Sequence, residues 1–234
     1  MVGGAGVTAA LADDPPHYYL ELGGTGAVPA DGSSCTRTYG YANQHLNGGH
    51  AILVCYPASA GPFVGSHNEM PAPTAPSMDE SARQGYRNML KAVEDTYHAH
   101  PDAKLTIVGY SLGAWPADLV LQKLASGTTD VPREQVDGML YSDPMQPGTG
   151  IAAKVPKGVG IFGMTSPGPG PEHFDGIPVQ RFCIHHDGVC DATSIESFPG
   201  YLKNHPTYPV DGGIITQTIG HDGGDGIVWY QATS

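Results

Sequence analysis

Positive charge is scarce in this chain: 11 Lys and Arg stand against 23 Asp and Glu, for a net charge of −12. That balance argues against nucleic acid and anionic membrane surfaces as partners, because both attract Lys and Arg. It also argues against large, charged or nucleotide substrates. No run reaches the roughly eighteen apolar residues of a membrane-spanning helix. No C-x-x-C is present, so no metal site is expected. Neither G-x-G-x-x-G nor a Walker sequence occurs, and no cofactor is expected. What the chain does have is turn chemistry, with 33 Gly and 21 Pro among 234 residues beside an ordinary 40% hydrophobic content. Its length suits one domain with a real core.

The first residues carry their own signal. Gly3 to Ala12 is small and apolar, and Ala10-Leu-Ala12 precedes Asp13-Asp14. This is the pattern of a signal-peptide tail with an A-x-A cleavage site, the plain alternative being a disordered Gly/Ala leader. Residues 1–14 are therefore read as leader and 15–234 as the domain. Four cysteines allow three pairings. Proximity favours Cys35 with Cys55 and Cys183 with Cys190, against four reduced, buried thiols. Disulfides and a leader both point to a secreted protein.

The stretch from Lys104 to Leu124 organises the rest. Leu105 to Val108 is a short β-rich apolar run, Gly109-Tyr-Ser111-Leu-Gly113 fits G-x-S-x-G, and Ala114, Ala117, Val120, Leu121 and Leu124 follow at helical spacing. In a chain this rich in Gly the bare motif arises by chance about 0.26 times, so the motif alone is weak. Strand, tight turn with a serine at its apex, then helix is the context of a nucleophile elbow. Pro116 is awkward, because it falls in or just past the opening turn of that helix.

Other elements fall on either side. His17–Leu22 reads as a strand running into Gly23-Gly-Thr25-Gly26, and 50–56 as a second strand. A Pro/Gly loop fills 57–76. Ser77-Met-Asp-Glu80 is a capping box opening an amphipathic helix that Pro101 closes. Further strands are expected at 136–142, 159–164 and 178–184, a short helix at 194–203, and a β-hairpin from 213–219 and 227–231. Asp222 and Asp225 in its turn are read as turn residues rather than calcium ligands. Strands alternating with helices predict a mostly parallel sheet with helices on both faces. The site then lies at the carboxyl ends of the strands, where Thr25, Ser111, Asp143 and Asp187 all fall.

A serine hydroxyl needs a base, and the base needs an orienting group. Asp143 and Asp187 follow strands after Ser111, and His173, His185, His186, His205 and His221 come later. Here a resemblance enters. Cys183-Ile-His-His-Asp187-Gly-Val-Cys190 resembles the disulfide-bracketed loop that carries the triad aspartate of cutinases, and His205-Pro-Thr-Tyr208 resembles their histidine segment. Gly23-Gly-Thr-Gly26, Gly109-Tyr-Ser-Leu-Gly113 and Asp187-Gly188 also resemble the PE-PPE-domain branch of the serine α/β-hydrolases. The resemblance spans about 17–208, with Leu112 where Gln is frequent, a longer Asp187–His205 interval, and the tail after 212 outside it.

It implies an α/β-hydrolase fold of cutinase-like type, with Ser111 as nucleophile, Asp187 as orienting acid and His205 as base. Thr25 and Leu112 would then supply oxyanion N–H groups. The expected reaction is hydrolysis of carboxylic esters, of acyl, lipid or polyester type, through an acyl-serine. A base that works only while neutral predicts loss of activity below about pH 6. The loops at 57–76 and 144–176 are expected to rim the acyl site, with Phe63, Met145 and Phe174 as apolar contacts. Two rivals stand beside this: an acyltransferase to a sugar or lipid hydroxyl, and a non-catalytic binding protein on the same fold. A monomer is the default expectation.

Overall fold

A computed structural model describes residues 14–232. The leader expected over 1–14 lies outside them except for Asp14. Six strands form the central sheet: β1 (His17–Leu22), β2 (His50–Leu53), β3 (Lys104–Tyr110), β4 (Val136–Tyr141), β7 (Val179–Ile184) and β8 (Gly226–Tyr230). Their order is β2-β1-β3-β4-β7-β8, and every pair is parallel. Two-residue strands β5 (Gly160–Ile161) and β6 (Met164–Thr165) make a separate antiparallel hairpin.

Side chains along a strand alternate between faces, so each central strand serves two cores. Leu20, Leu22, Leu105, Ile107 and Leu140 join one, together with Met89 and Val93 of α1 (Met78–Ala99) and Val120, Leu121 and Leu124 of α2 (Ala114–Ala125). Tyr19, Val108, Tyr110, Met139 and Tyr141 join the other, with Ile214 and Ile215 of α5 (Ile214–Thr218). Two short helices, α3 (Ile151–Lys154) and α4 (Ser197–Asn204), belong to neither core.

Local sequence explains the helix boundaries. Ser77 caps α1 by accepting the Glu80 N–H at 3.2 Å. The reciprocal half of the box is replaced: the Glu80 carboxylate takes Arg83 and Gln84 instead. A 3-10 turn over Ser111–Gly113 leads into α2, so Pro116 is the third residue of α2, where an N–H lacks an intrahelical acceptor.

The C-terminal hairpin is a correction. Residues 214–218 are helical, and β8 runs parallel to β7 as the edge of the main sheet. The segment's β-branched residues suggested a strand, but Ile215 and Ile219 are four apart and both fully buried, so packing on the second core overrides propensity. The loop after α5 returns the chain to the amino end of the sheet. There Asp222 accepts a hydrogen bond from Tyr19 at 2.8 Å and pairs with Lys104, and β8 starts in the same direction as its neighbours.

Candidate active site

The carboxyl ends of β1, β3, β4 and β7 meet at one edge of the sheet. β3 ends in Tyr110, and Ser111 takes φ 56°, a left-handed conformation that lifts its hydroxyl out of the turn. Both motif glycines are required by close approach. A β-carbon at Gly109 would meet the Ala114 Cα at 2.6 Å and the Gly113 oxygen at 2.7 Å; one at Gly113 would strike the carbonyls of Leu22 and Gly23.

From β7 the chain enters a loop closed by the Cys183–Cys190 disulfide, and Cys35 pairs with Cys55. Asp187 in that loop is fully buried. Beyond α4, His205 presents Nδ1 to both Asp187 carboxylate oxygens at 3.1 Å and Nε2 to Ser111 Oγ at 2.8 Å. A carboxylate at Nδ1 holds the proton there and leaves Nε2 to accept from the serine. Tyr110 locks the histidine, donating its hydroxyl to the His205 carbonyl at 2.6 Å and stacking on the ring at 5.1 Å.

The structure adds a side chain that sequence reasoning missed. Ser142 follows β4 with φ 49° and is fully buried. Its hydroxyl donates to Asp187 Oδ2 at 2.6 Å and lies 3.0 Å from His205 Nδ1. Its position immediately after a strand, as with Ser111, is the signal that would have found it. Burial works to raise the Asp187 carboxyl, but the hydrogen bond and charge of His205, with the Ser142 bond, outweigh it and hold the group below the ordinary carboxylate range. Asp143, the other acid considered, is turned away: it binds the buried Arg181 at 2.9 Å, which also reaches Asp118 at 2.7 Å.

Ser111 opens into a cavity of about 850 Å³ that Thr25 and Leu112 also line. Among residues 24–27, the N–H groups of Gly24, Gly26 and Ala27 donate to Thr38, Ala58 and Gly24. The Thr25 N–H has no protein acceptor among the described residues. Leu112 stands in the opening turn that leads into α2, where backbone donors are unspent. None of the lining residues is Asp, Glu, Lys, Arg or His; Trp115, Ile151, Val155, Ile161 and Phe198 set the character. The 144–176 loop supplies much of this wall, and the 57–76 loop none of it.

Phe63, Met145 and Phe174 are not among the lining residues. Phe174 is buried in the first core, with the Arg181 guanidinium 5.0 Å from its ring centroid. Met145 is also buried, and Phe63 is half-exposed with its ring 6.1 Å from Phe162. Apolar character alone does not separate cavity wall from core. Among the described residues no helix is long and apolar enough to cross a membrane.

The PE-PPE domain family is matched over residues 48–197, a span that contains Ser111, Ser142 and Asp187 and ends before His205. A PPE family protein of Mycobacterium tuberculosis, PPE28, is 28% identical over 130 residues, covering 55% of this chain and 18% of its own length. The chain thus spans less than a fifth of that relative. Among solved structures, a cutinase-like protein from Cryptococcus sp. superposes with a TM-score of 0.58 at 19% identity, covering 91% of this chain and 95% of that one. The catalytic core domain of acetyl xylan esterase from Trichoderma reesei superposes at 0.50 and 18% identity, covering 88% and 99%. These likenesses establish a shared fold.

Proposed function

The chain belongs to the PE-PPE domain family, and from that premise we propose that it is a secreted serine esterase acting on neutral acyl esters. The observation that carries this reading is the buried relay from Ser111 through His205 to Asp187, opening into an uncharged, mostly apolar cavity. Residues 15–234 act as one catalytic domain. Two disulfides support an oxidising compartment.

The chemistry follows from the atoms. His205 Nε2 takes the Ser111 proton as Oγ bonds to the ester carbonyl carbon. The carbonyl oxygen becomes an oxyanion held by the Thr25 and Leu112 N–H groups. Collapse breaks the bond to the alcohol, which leaves with the proton from His205, and Ser111 keeps the acyl group. Water then gives its proton to His205 and attacks the acyl carbon, and the acid leaves as Oγ recovers its proton. Ser142 keeps Asp187 ionised and aligned without touching substrate. A chamber of this size falls in the range that encloses a small-molecule ligand. Its uncharged lining favours an acyl chain over a charged group.

A fluorophosphonate probe tests the assignment. The wild-type chain is expected to take the label at Ser111 and to release acid from a soluble short-chain ester, and Ser111→Ala to do neither. Full esterase activity in Ser111→Ala would refute the nucleophile. A wild-type chain that takes no label and cleaves no neutral ester leaves the non-catalytic binding reading in its place. Adding an alcohol acceptor and analysing the products separates hydrolysis from acyl transfer.

A further inference from the structure

We infer that the rim of this cavity is a docking surface for a lipid–water interface that carries anionic headgroups. Two segments flank the mouth. One is the β5–β6 hairpin with the residue before it, presenting Val159, Ile161 and Phe162; the other is α4 with the loop before it, presenting Ile195, Phe198 and Leu202. All six are exposed, Phe162 at 71%, Phe198 at 77% and Ile195 at 87%. Val159, Ile161 and Phe198 also line the chamber, so the exposed rim is continuous with the space above Ser111. Apolar side chains this exposed, on two elements around one opening, need a covering partner.

The hairpin tip gives an independent reason to see function here. Gly160 pairs with Thr165 and Ile161 with Met164, so the loop is two residues, Phe162 and Gly163, with φ of 48° and 72°. Two central residues with positive φ make the turn for which Asn-Gly is the favoured pair. Here Phe stands at the Asn position, strained by its β-carbon and exposed to water at once. The edge contact with the Phe63 ring at 6.1 Å leaves most of Phe162 in water, so neither the turn nor solubility favours that choice, and insertion into an apolar phase does. Nor is the hairpin a loose flap. Asp79, in the first turn of α1, accepts from the Thr165 N–H at 2.8 Å and from its hydroxyl at 2.7 Å, and the Asp79 N–H donates to Gly163 O at 2.9 Å.

Charge chooses the surface. The molecule as a whole carries −12, yet residues 151–168 contain Lys154 and Lys157 and no acid, and α4 adds Lys203. Three of the six lysines of the chain therefore belong to the segments that form this rim, offset by Glu196 and by Asp79, whose carboxylate is tied to Thr165 of the hairpin. Screening limits what a headgroup senses to about 10 Å, so the local excess counts more than the bulk charge. Lysines around an apolar patch bury their stems and keep their ammonium groups at headgroup level. An acidic body behind a basic, apolar face would present that face to an anionic surface.

The test uses the full chain and two vesicle preparations, phosphatidylcholine alone and equal parts phosphatidylcholine and phosphatidylglycerol, read by co-sedimentation. Wild type is expected to bind the mixed vesicles more tightly. Phe162→Asn should weaken that binding about tenfold while its thermal midpoint stays level or rises, because Asn suits the turn. Lys157→Glu should erase the preference for phosphatidylglycerol, and Leu202→Ser should weaken binding to both preparations. None of the three changes a residue of the cavity wall, and each should cleave a soluble short-chain ester at the wild-type rate. Wild type that cleaves the soluble ester but stays in the supernatant overturns the docking surface and leaves the esterase reading standing. Vesicle binding without any ester cleavage does the reverse. A wild type that sediments as a dimer in the absence of lipid, and becomes monomeric in Phe162→Asn, assigns the face to a second copy of the chain and overturns the proposal.

Discussion

Glu21 offers a quantitative test of how the sheet is held beside the site. It lies in β1, between Leu53 of β2 and Val108 of β3, and is fully buried. Asn43 donates to Oε2 at 2.9 Å, while Oε1 and the Asn43 Oδ1 have no hydrogen-bond partner among the described residues. Burial pushes the carboxyl up to about 8, with the Asn43 bond opposing it. Protonation turns one of these unpartnered acceptors into a donor and removes the buried charge. Below pH 4.5 folded and unfolded chains both hold this proton. Between 4.5 and about 8 the unfolded chain releases it and the folded chain keeps it, so stability falls as pH rises and levels off above 8. The slope is about 1.4 kcal/mol per pH unit, for a total of roughly 5 kcal/mol over the window. Glu21→Gln keeps the shape, accepts from Asn43, adds a permanent N–H donor, and removes the titration. Urea unfolding from pH 5 to 8, disulfides intact, should show wild type losing ground to Glu21→Gln by about one proton's slope. The variant should be several kcal/mol the more stable at pH 8. Other buried carboxyls titrate in both proteins and cancel. Parallel stability curves across that range would refute the reasoning.

Four further outcomes follow from the site. Ser142→Ala should lower kcat about tenfold with KM unchanged, a split that simple loss of folded protein does not produce. Asp187 is held below its ordinary range, so it stabilises the fold above about pH 4, an effect lost as pH falls through the depressed value. Acid unfolding followed by fluorescence should therefore show a shallower acid limb in Asp187→Asn. Gly113→Ala would force its β-carbon into the Leu22 and Gly23 carbonyls; a loss of about 1–3 kcal/mol in stability with a drop in kcat is expected, and a silent substitution would refute the close approach. Removing the Cys183–Cys190 bridge with a paired Cys183→Ala, Cys190→Ala change should cost about 2 kcal/mol for so short a loop, and should reduce kcat by freeing Asp187.

The elements around Ser111 were legible because they rest on local rules. A β-rich run, glycines where no β-carbon fits, and apolar residues at helical spacing mark β3, the turn and α2 in any context. Ser77 and Pro101 likewise bound α1 through capping and through the missing N–H. Alternation of strands and helices predicted the parallel sheet. The segment 213–219 was misread for the opposite reason: its isoleucines favour a strand locally, and only the apolar surface of the second core makes a short helix the lower-energy form. Phe63, Met145 and Phe174 show the same limit, since sequence records that a side chain is apolar but not which apolar region receives it.

What the sequence determined alone is therefore whatever depends on neighbours within a few residues: the tight turn at Ser111, the helix caps, and the alternation that puts strand ends in register as candidates. Tertiary structure decided which of those ends meet. Residues 111, 142, 187 and 205 belong to four separate segments, and only the parallel order of β3, β4 and β7, with the return of the chain after α4, puts a hydroxyl, an imidazole and a carboxylate within 3.1 Å of one another in turn. Hydrogen bonds of that length are set by the packing of the sheet, and no periodicity along the chain encodes them.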